Sequence, residues 1–575
     1  MKLFKFFGSL VAAAAIVVSL NSCAHADETA QKFVMPHRSS LIADNTLSGN
    51  YLAGRFAQRQ QDWDSAQRFM NEVMAFDANN TLLRQRAFLL TLGAQQYDRA
   101  KELARQVASD KDGAELADIY LACDALAHND FKGAIELVNK LPDDGFGQYT
   151  KPLLTAWSLV GMGKKAEGLK LLQKGSDPAD PTYNMHAGLM EELSGDMKAA
   201  GVHYKTAMEN GLTMHTAIIV GNYYLRNGQP DTARTIYETL GKLYAFNPFM
   251  GVAASAGAAR PNVERAADGA AVALFDLATL LFERRAYDSA QIYGSMVLLL
   301  SPKSPFAAMM MGDIAALNDQ HQKAVEDYNS IARDSPLYWL SRTRVAEVYE
   351  AEGDLDQAIA LLTELSQTKE THLQALVSLG DMYRRHDKYQ DAFNAYDSAL
   401  ASVAKISEEH WPIVYARGMS LERLNNWQLA EKDLLTALQF QPDNPMILNF
   451  IGYSWADKGV HLDQALDFIR RAVAQRPDDG YILDSYGWAL YRTGDYKESV
   501  VWMEKAIGII PDDSTMLDHL GDAYWQVGRK NEAKFKWHRA HELSKDASFR
   551  AGVEHKLMNG VVPPPSQVAH KETSL

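Results

Sequence analysis

A chain of 575 residues is too long for one compact core and calls for several domains or a repeat array. With 47% hydrophobic and 23% charged residues it falls among folded soluble proteins rather than disordered ones. Its formal net charge of -14 repels phosphate backbones and argues against nucleic acid as a partner.

The chain opens on Lys2 and Lys5, followed by an apolar run from Phe6 to Leu20. That run is shorter than the roughly 20 residues a membrane-spanning helix needs. A basic start before a short apolar run is the layout of an export signal, expected over residues 1–22. Two processing sites compete. Leu20-Asn21-Ser22-Cys23 resembles a bacterial lipobox, with Asn21 departing from the usual small or apolar residue, and makes Cys23 the lipidated residue. Ala24-His25-Ala26 is the rival, an ordinary A-x-A site. The lipobox reading is preferred because Cys23 stands at the end of the apolar run in a chain with only 2 cysteines. By resemblance to known lipoproteins, Ala24 stands where an aspartate commonly holds such proteins in the inner membrane. This implies an outer-membrane lipoprotein facing the periplasm. The other cysteine, Cys123, lies in the run Leu121-Ala122-Cys123 and reads as a small buried hydrophobe.

After a linker at 23–46, a period dominates the chain. A large apolar residue, two residues of any type and an alanine recur, as in Trp63-Asp-Ser-Ala66, Tyr97-Asp-Arg-Ala100, Tyr287-Asp-Ser-Ala290 and Trp427-Gln-Leu-Ala430. A small residue precedes each alanine by about one helix length. These anchors are Gly54, Phe88, Ala122, Ala156, Gly188, Gly221, Ala278, Gly312, Ala346, Gly380, Gly418, Gly452, Gly487 and Gly521, with Phe88 a poor match. The pattern resembles the tetratricopeptide repeat, a unit of about 34 residues built as helix-turn-helix. Its clearest copy holds Leu520, Gly521, Tyr524, Ala533 and Ala540.

The resemblance implies an all-α superhelical solenoid of about 14 repeats, in which one unit alone cannot bury its apolar face and stability comes from stacking. The widest gap between anchors, from Gly221 to Ala278, divides the array into two arms. The N-terminal arm is expected over 47–246 and the C-terminal arm over 271–546. Between them, 247–270 reads as a Gly/Ala-rich insertion or hinge, with Pro261 in it. The segment 547–575 reads as a cap from Phe549 to Leu557 and a disordered tail beyond Pro563.

A search for chemistry finds little. Gly161-Met-Gly163-Lys-Lys-Ala166 fits a dinucleotide pattern, yet it follows a helical segment rather than a strand and reads as a repeat turn. Gly452-Tyr-Ser454-Trp-Ala456 is close to a nucleophile elbow, but Gly452 is already a repeat anchor. No P-loop, paired-cysteine site or EF-hand loop appears. No catalytic centre, cofactor, metal or small-molecule substrate is expected.

In the family resembled, the first helix of each repeat lines the concave face. Helical spacing then gathers Asn449 and Tyr453 from one repeat with Tyr481, Asp484, Trp488, Tyr491 and Arg492 from the next. The last repeat adds Asp518, His519, Asp522 and Trp525. Aromatics beside fixed charges suit peptide capture, and the competing reading is inter-repeat packing with a solvated acidic rim. Asp484 and Asp518 stand where a carboxylate clamp would need basic or amide groups, so a basic or aromatic-rich peptide is the expected ligand. The function expected is a non-catalytic protein-interaction scaffold or adaptor of the bacterial cell envelope, touching membrane only through its lipid. The alternative is an enzyme acting on envelope polymers, with Asp484, Asp518 and His519 in its site.

Overall fold

A computed structural model describes residues 46–110, 115–174, 180–209, 213–243, 261–368 and 371–562. The export signal, Cys23, residues 247–260 of the expected insertion and the tail from Pro563 lie outside the described residues. Among the described residues there is no strand. Twenty-nine α-helices among the described residues run from Leu47–Arg59 to Ala547–Asn559, forming fourteen antiparallel pairs and one last helix. The fold is a tetratricopeptide-repeat solenoid. Among the described residues no helix is long and apolar enough to cross a membrane.

The small anchors have a physical reason. Several of the glycines lie under a large side chain of the partner helix. A Cβ at Gly188 would meet the Tyr204 ring at 2.6 Å, at Gly312 the Tyr328 ring at 2.5 Å, and at Gly521 the Trp537 indole at 2.4 Å. The alanines after each turn, among them Ala430, Ala437, Ala533 and Ala540, are fully buried. Phe88 breaks the small-residue rule and is buried against Tyr120, with ring centroids 5.7 Å apart. Between repeats, Asn444, Asp479 and Asp513 cap the helices that follow, each side chain accepting backbone N–H bonds.

The chain divides into two compact units, one ending at Ala375 and one beginning at Leu376. In the N-terminal unit, six helix pairs run from Leu47 to Leu243. The next pair, Ala266–Glu283 and Tyr287–Leu300, turns back onto them. Ala266–Glu283 packs on Gly147–Gly161, and Tyr287–Leu300 packs on Glu115–Ala127 and Thr81–Gly93, all first helices of earlier pairs. Small residues allow the approach. Ala266, Ala267, Gly269, Ala270, Ala271 and Ala273 are buried, and a Cβ at Gly269 would come within 2.2 Å of the Trp157 indole. Polar bonds fix the register: Gln291 donates to the Gly93 carbonyl at 3.1 Å, and the Tyr97 hydroxyl to the Ser295 carbonyl at 2.9 Å. His215 bonds Asp276 at 3.1 Å, and the Trp157 indole N–H donates to His186 at 3.1 Å. Cys123 is buried in this unit, and desolvation pushes its thiol up.

Candidate functional site

In the C-terminal unit the first helices Pro445–Lys458, Gly480–Thr493 and Ser514–Gln526 lie side by side and line one face. Asn449, Asp484 and Asp518 each stand three residues before the anchor glycines Gly452, Gly487 and Gly521. One residue after those glycines stand Tyr453, Trp488 and Asp522. The repeat register therefore lays these side chains out in two columns that cross three helices.

At the centre is a buried pair. His519 Nδ1 and Asp484 Oδ2 are 2.8 Å apart, and both residues are buried. Burial alone would lower the His519 pKa, but the charge and hydrogen bond of Asp484, with Asp518 and Asp522 beyond it, outweigh burial and raise it. The Trp488 ring stacks on His519 at 4.2 Å between centroids and on Tyr491 at 4.9 Å, nearly parallel to both. The Arg492 guanidinium lies 5.8 Å from the Trp488 ring centroid and bonds the Asp457 carbonyl. Tyr453 approaches His519 at 6.3 Å.

Four polar atoms on this face are buried without a hydrogen-bond partner: Asn449 Oδ1, Asp484 Oδ1, Asp518 Oδ1 and Trp488 Nε1. The three oxygens belong to one repeat column. A buried polar atom without a partner costs about 1–3 kcal/mol, so such atoms are uncommon unless something bonds them.

Asp518, Asp522 and Trp525 sit differently from the rest. They lie against the last helix, Ala547–Asn559, and the turn after it. Lys556 Nζ reaches Asp518 Oδ2 at 2.6 Å and Asp522 Oδ2 at 2.8 Å. The other Asp522 oxygen accepts the Trp537 indole N–H at 3.0 Å. Burial, the largest influence, pushes the Asp522 carboxyl up to about 6, against the pull of Lys556. Trp525 is partly buried under Gly560, where a Cβ would come within 2.1 Å of the indole. Tyr481 is apart from all of these, 60% exposed at the start of its helix. Sequence reading missed Lys556; its signal was a lysine in the last turn of the amphipathic capping segment.

The arrangement can accept donors and cations. Among the described residues no group of three or more His, Cys, Asp or Glu side chains could hold a metal ion.

The class these features define is the tetratricopeptide-repeat solenoid. Residues 289–417 match the model of a tetratricopeptide repeat-like domain, and 415–480 and 461–514 match that of the tetratricopeptide repeat. Among curated proteins, the chain is 28% identical over 185 residues to the TPR repeat-containing protein PA4667 of Pseudomonas aeruginosa. That match covers 32% of this chain and 30% of the relative's length. Among solved structures, the chain is similar to the APC/C hetero-tetramer Cut9-Hcn1, with 13% identity, a TM-score of 0.38, and 90% of this chain and 96% of that one covered. It is also similar to yeast Tom70, with 14% identity, a TM-score of 0.33, and 89% and 95% covered.

Proposed function

We propose that this protein is an exported, non-catalytic adaptor of the bacterial cell envelope that holds a segment of a partner protein on the first-helix face of its C-terminal unit. Tetratricopeptide repeats generally mediate protein–protein interactions, which is the coarse part of the reading. The observation that carries the finer part is the column of buried, unpartnered oxygens on Asn449, Asp484 and Asp518. An extended or helical segment crossing three repeats would supply a donor to each. Trp488, stacked but partly exposed, supplies a flat apolar surface beside them. Two of the three acceptors are carboxylates, so the segment is basic.

Export rests on the basic and apolar N-terminal run, and anchoring on Cys23 after it. A palmitate analogue should label the wild type and not Cys23→Ser; a mature chain beginning at Asp27 would replace the lipoprotein with a soluble periplasmic form.

Affinity capture from envelope extracts tests the binding reading. Asp484→Asn combined with Trp488→Ala should lose captured partners that the wild type retains, while far-ultraviolet helicity stays intact. Removal of such an aromatic anchor is worth about 2 kcal/mol or more, near a thirty-fold loss of affinity. Retention of every partner by that variant would place the binding surface elsewhere.

A further inference from the structure

The end of the C-terminal face already holds a basic side chain, and it is the protein's own. The last helix, Ala547–Asn559, buries only Val553 among its residues. Met558 is 76% exposed and Val562 after it 85%. Phe549, Val553 and Leu557 pack in one apolar cluster with Leu520, Tyr524 and Trp537, so the helix caps the last repeat by burial. Beyond that packing it brings polar contacts: Lys556 paired to Asp518 and Asp522, and the Gln526 side chain donating to the Val561 carbonyl at 3.3 Å. The Asp522 side chain is almost wholly buried, so this is not a rim ion pair of negligible strength.

Carboxylates also outnumber cations here. Asp484, Asp518 and Asp522 face His519 and Lys556, and Asp484 Oδ1 and Asp518 Oδ1 remain without partners although Asp484 is only 5% exposed. The face therefore has capacity for a cation beyond those it holds. Building on the groove reading above, we propose that the C-terminal helix is a resident competitor: it occupies the cation site of Asp518 and Asp522 through Lys556, and a partner's lysine-bearing helix takes that place by displacing it. Tethering gives the resident helix an effective concentration on the order of millimolar. A partner must overcome that advantage, so the contact sets a threshold on capture.

The test uses the full chain and a fluorescein-labelled synthetic peptide copying residues 546–562, with binding read by fluorescence anisotropy. Lys556→Ala in the protein should tighten peptide binding about ten-fold over the wild type, and Lys556→Arg should not. A peptide whose own lysine is replaced by alanine should bind neither protein tightly. Hydrogen exchange supplies the second readout: in Lys556→Ala the amides of 547–559 should exchange faster while those of 480–526 stay protected. Equal peptide affinity for wild type and Lys556→Ala, tight binding of the lysine-free peptide, or unchanged protection of 547–559 would each overturn the proposal. The groove reading fails separately. If Asp484→Asn with Trp488→Ala captures every partner while the peptide series behaves as stated, the resident helix stands and the site of partner capture does not.

Discussion

In the N-terminal unit, the face lined by first helices carries the pair Ala266–Glu283 and Tyr287–Leu300, pinned through Gly269, Gln291 and Ser295. In the C-terminal unit, the same face carries Asn449, Asp484, Trp488 and Asp518, with polar atoms that bond nothing, and the last helix touches only its end. Both units are made from one repeat. What separates them is whether a later segment of the chain supplies the complement of the inner face. A solenoid builds a long surface because each repeat contacts mainly its neighbours, and that surface can be filled from within or kept for a partner. The number of repeats sets how much inner surface exists, and long-range packing sets how much of it is free.

The largest effect should come from breaking the filled face. Trp157→Ala removes the indole that covers Gly269 and takes from His186 the donor it bonds. A loss of about 3–5 kcal/mol is expected, seen as an early thermal transition of the N-terminal unit while the C-terminal unit melts as before. A shift of both transitions together would mean that the units are not independent.

A smaller loss should follow in the C-terminal unit when a helix contact is overfilled. Ala430 is fully buried, and Ala430→Leu should cost about 1–3 kcal/mol. In a modular array the damage stays local, so hydrogen exchange should quicken in residues 411–458 and not in the N-terminal unit. Global acceleration would contradict that.

The smallest effect is that of pH, and it sharpens the contrast because the buried His519–Asp484 pair belongs to the C-terminal unit. His519 has a raised pKa in the fold, so its contribution is full below about 6.5 and is lost as pH rises through the raised value. Asp522, pushed up to about 6 from 3.8, acts with the same sign at lower pH: its contribution is present below 3.8 and lost as pH approaches 6. Chemical denaturation followed by tryptophan fluorescence should therefore show the C-terminal unit losing stability from pH 5 to pH 8.5. His519→Gln should flatten the part above 6.5. Stability that rises over that interval would refute this charge assignment.

The repeat was legible in the sequence because its signal is local. Gly188, Gly312 and Gly521 recur at repeat spacing since each must admit a large side chain from the adjacent helix, and Ala430 and Ala437 since two helices touch there. The residues of the C-terminal face were legible for the same reason: helical spacing and repeat register place Asn449, Asp484 and Asp518 in one column. The returning pair was not. Residues 247–270 read as a Gly/Ala-rich insertion or hinge, and nothing local says that Gly269 will meet Trp157 from more than a hundred residues earlier. Lys556 escaped because a lone lysine in an acidic chain reads as solubility until its two carboxylate partners are known.

The partner is expected on the open face of the C-terminal unit and not on the filled face of the N-terminal one. A photo-reactive phenylalanine analogue placed at Tyr453 in one protein and, in another, at Tyr149, which hydrogen-bonds Asp276 of the returning pair, measures this directly when each is irradiated in living cells. Crosslinked partner is expected at Tyr453, reduced when Asp484→Asn is added, and absent at Tyr149. Partner crosslinked at Tyr149 and none at Tyr453 would contradict the claim.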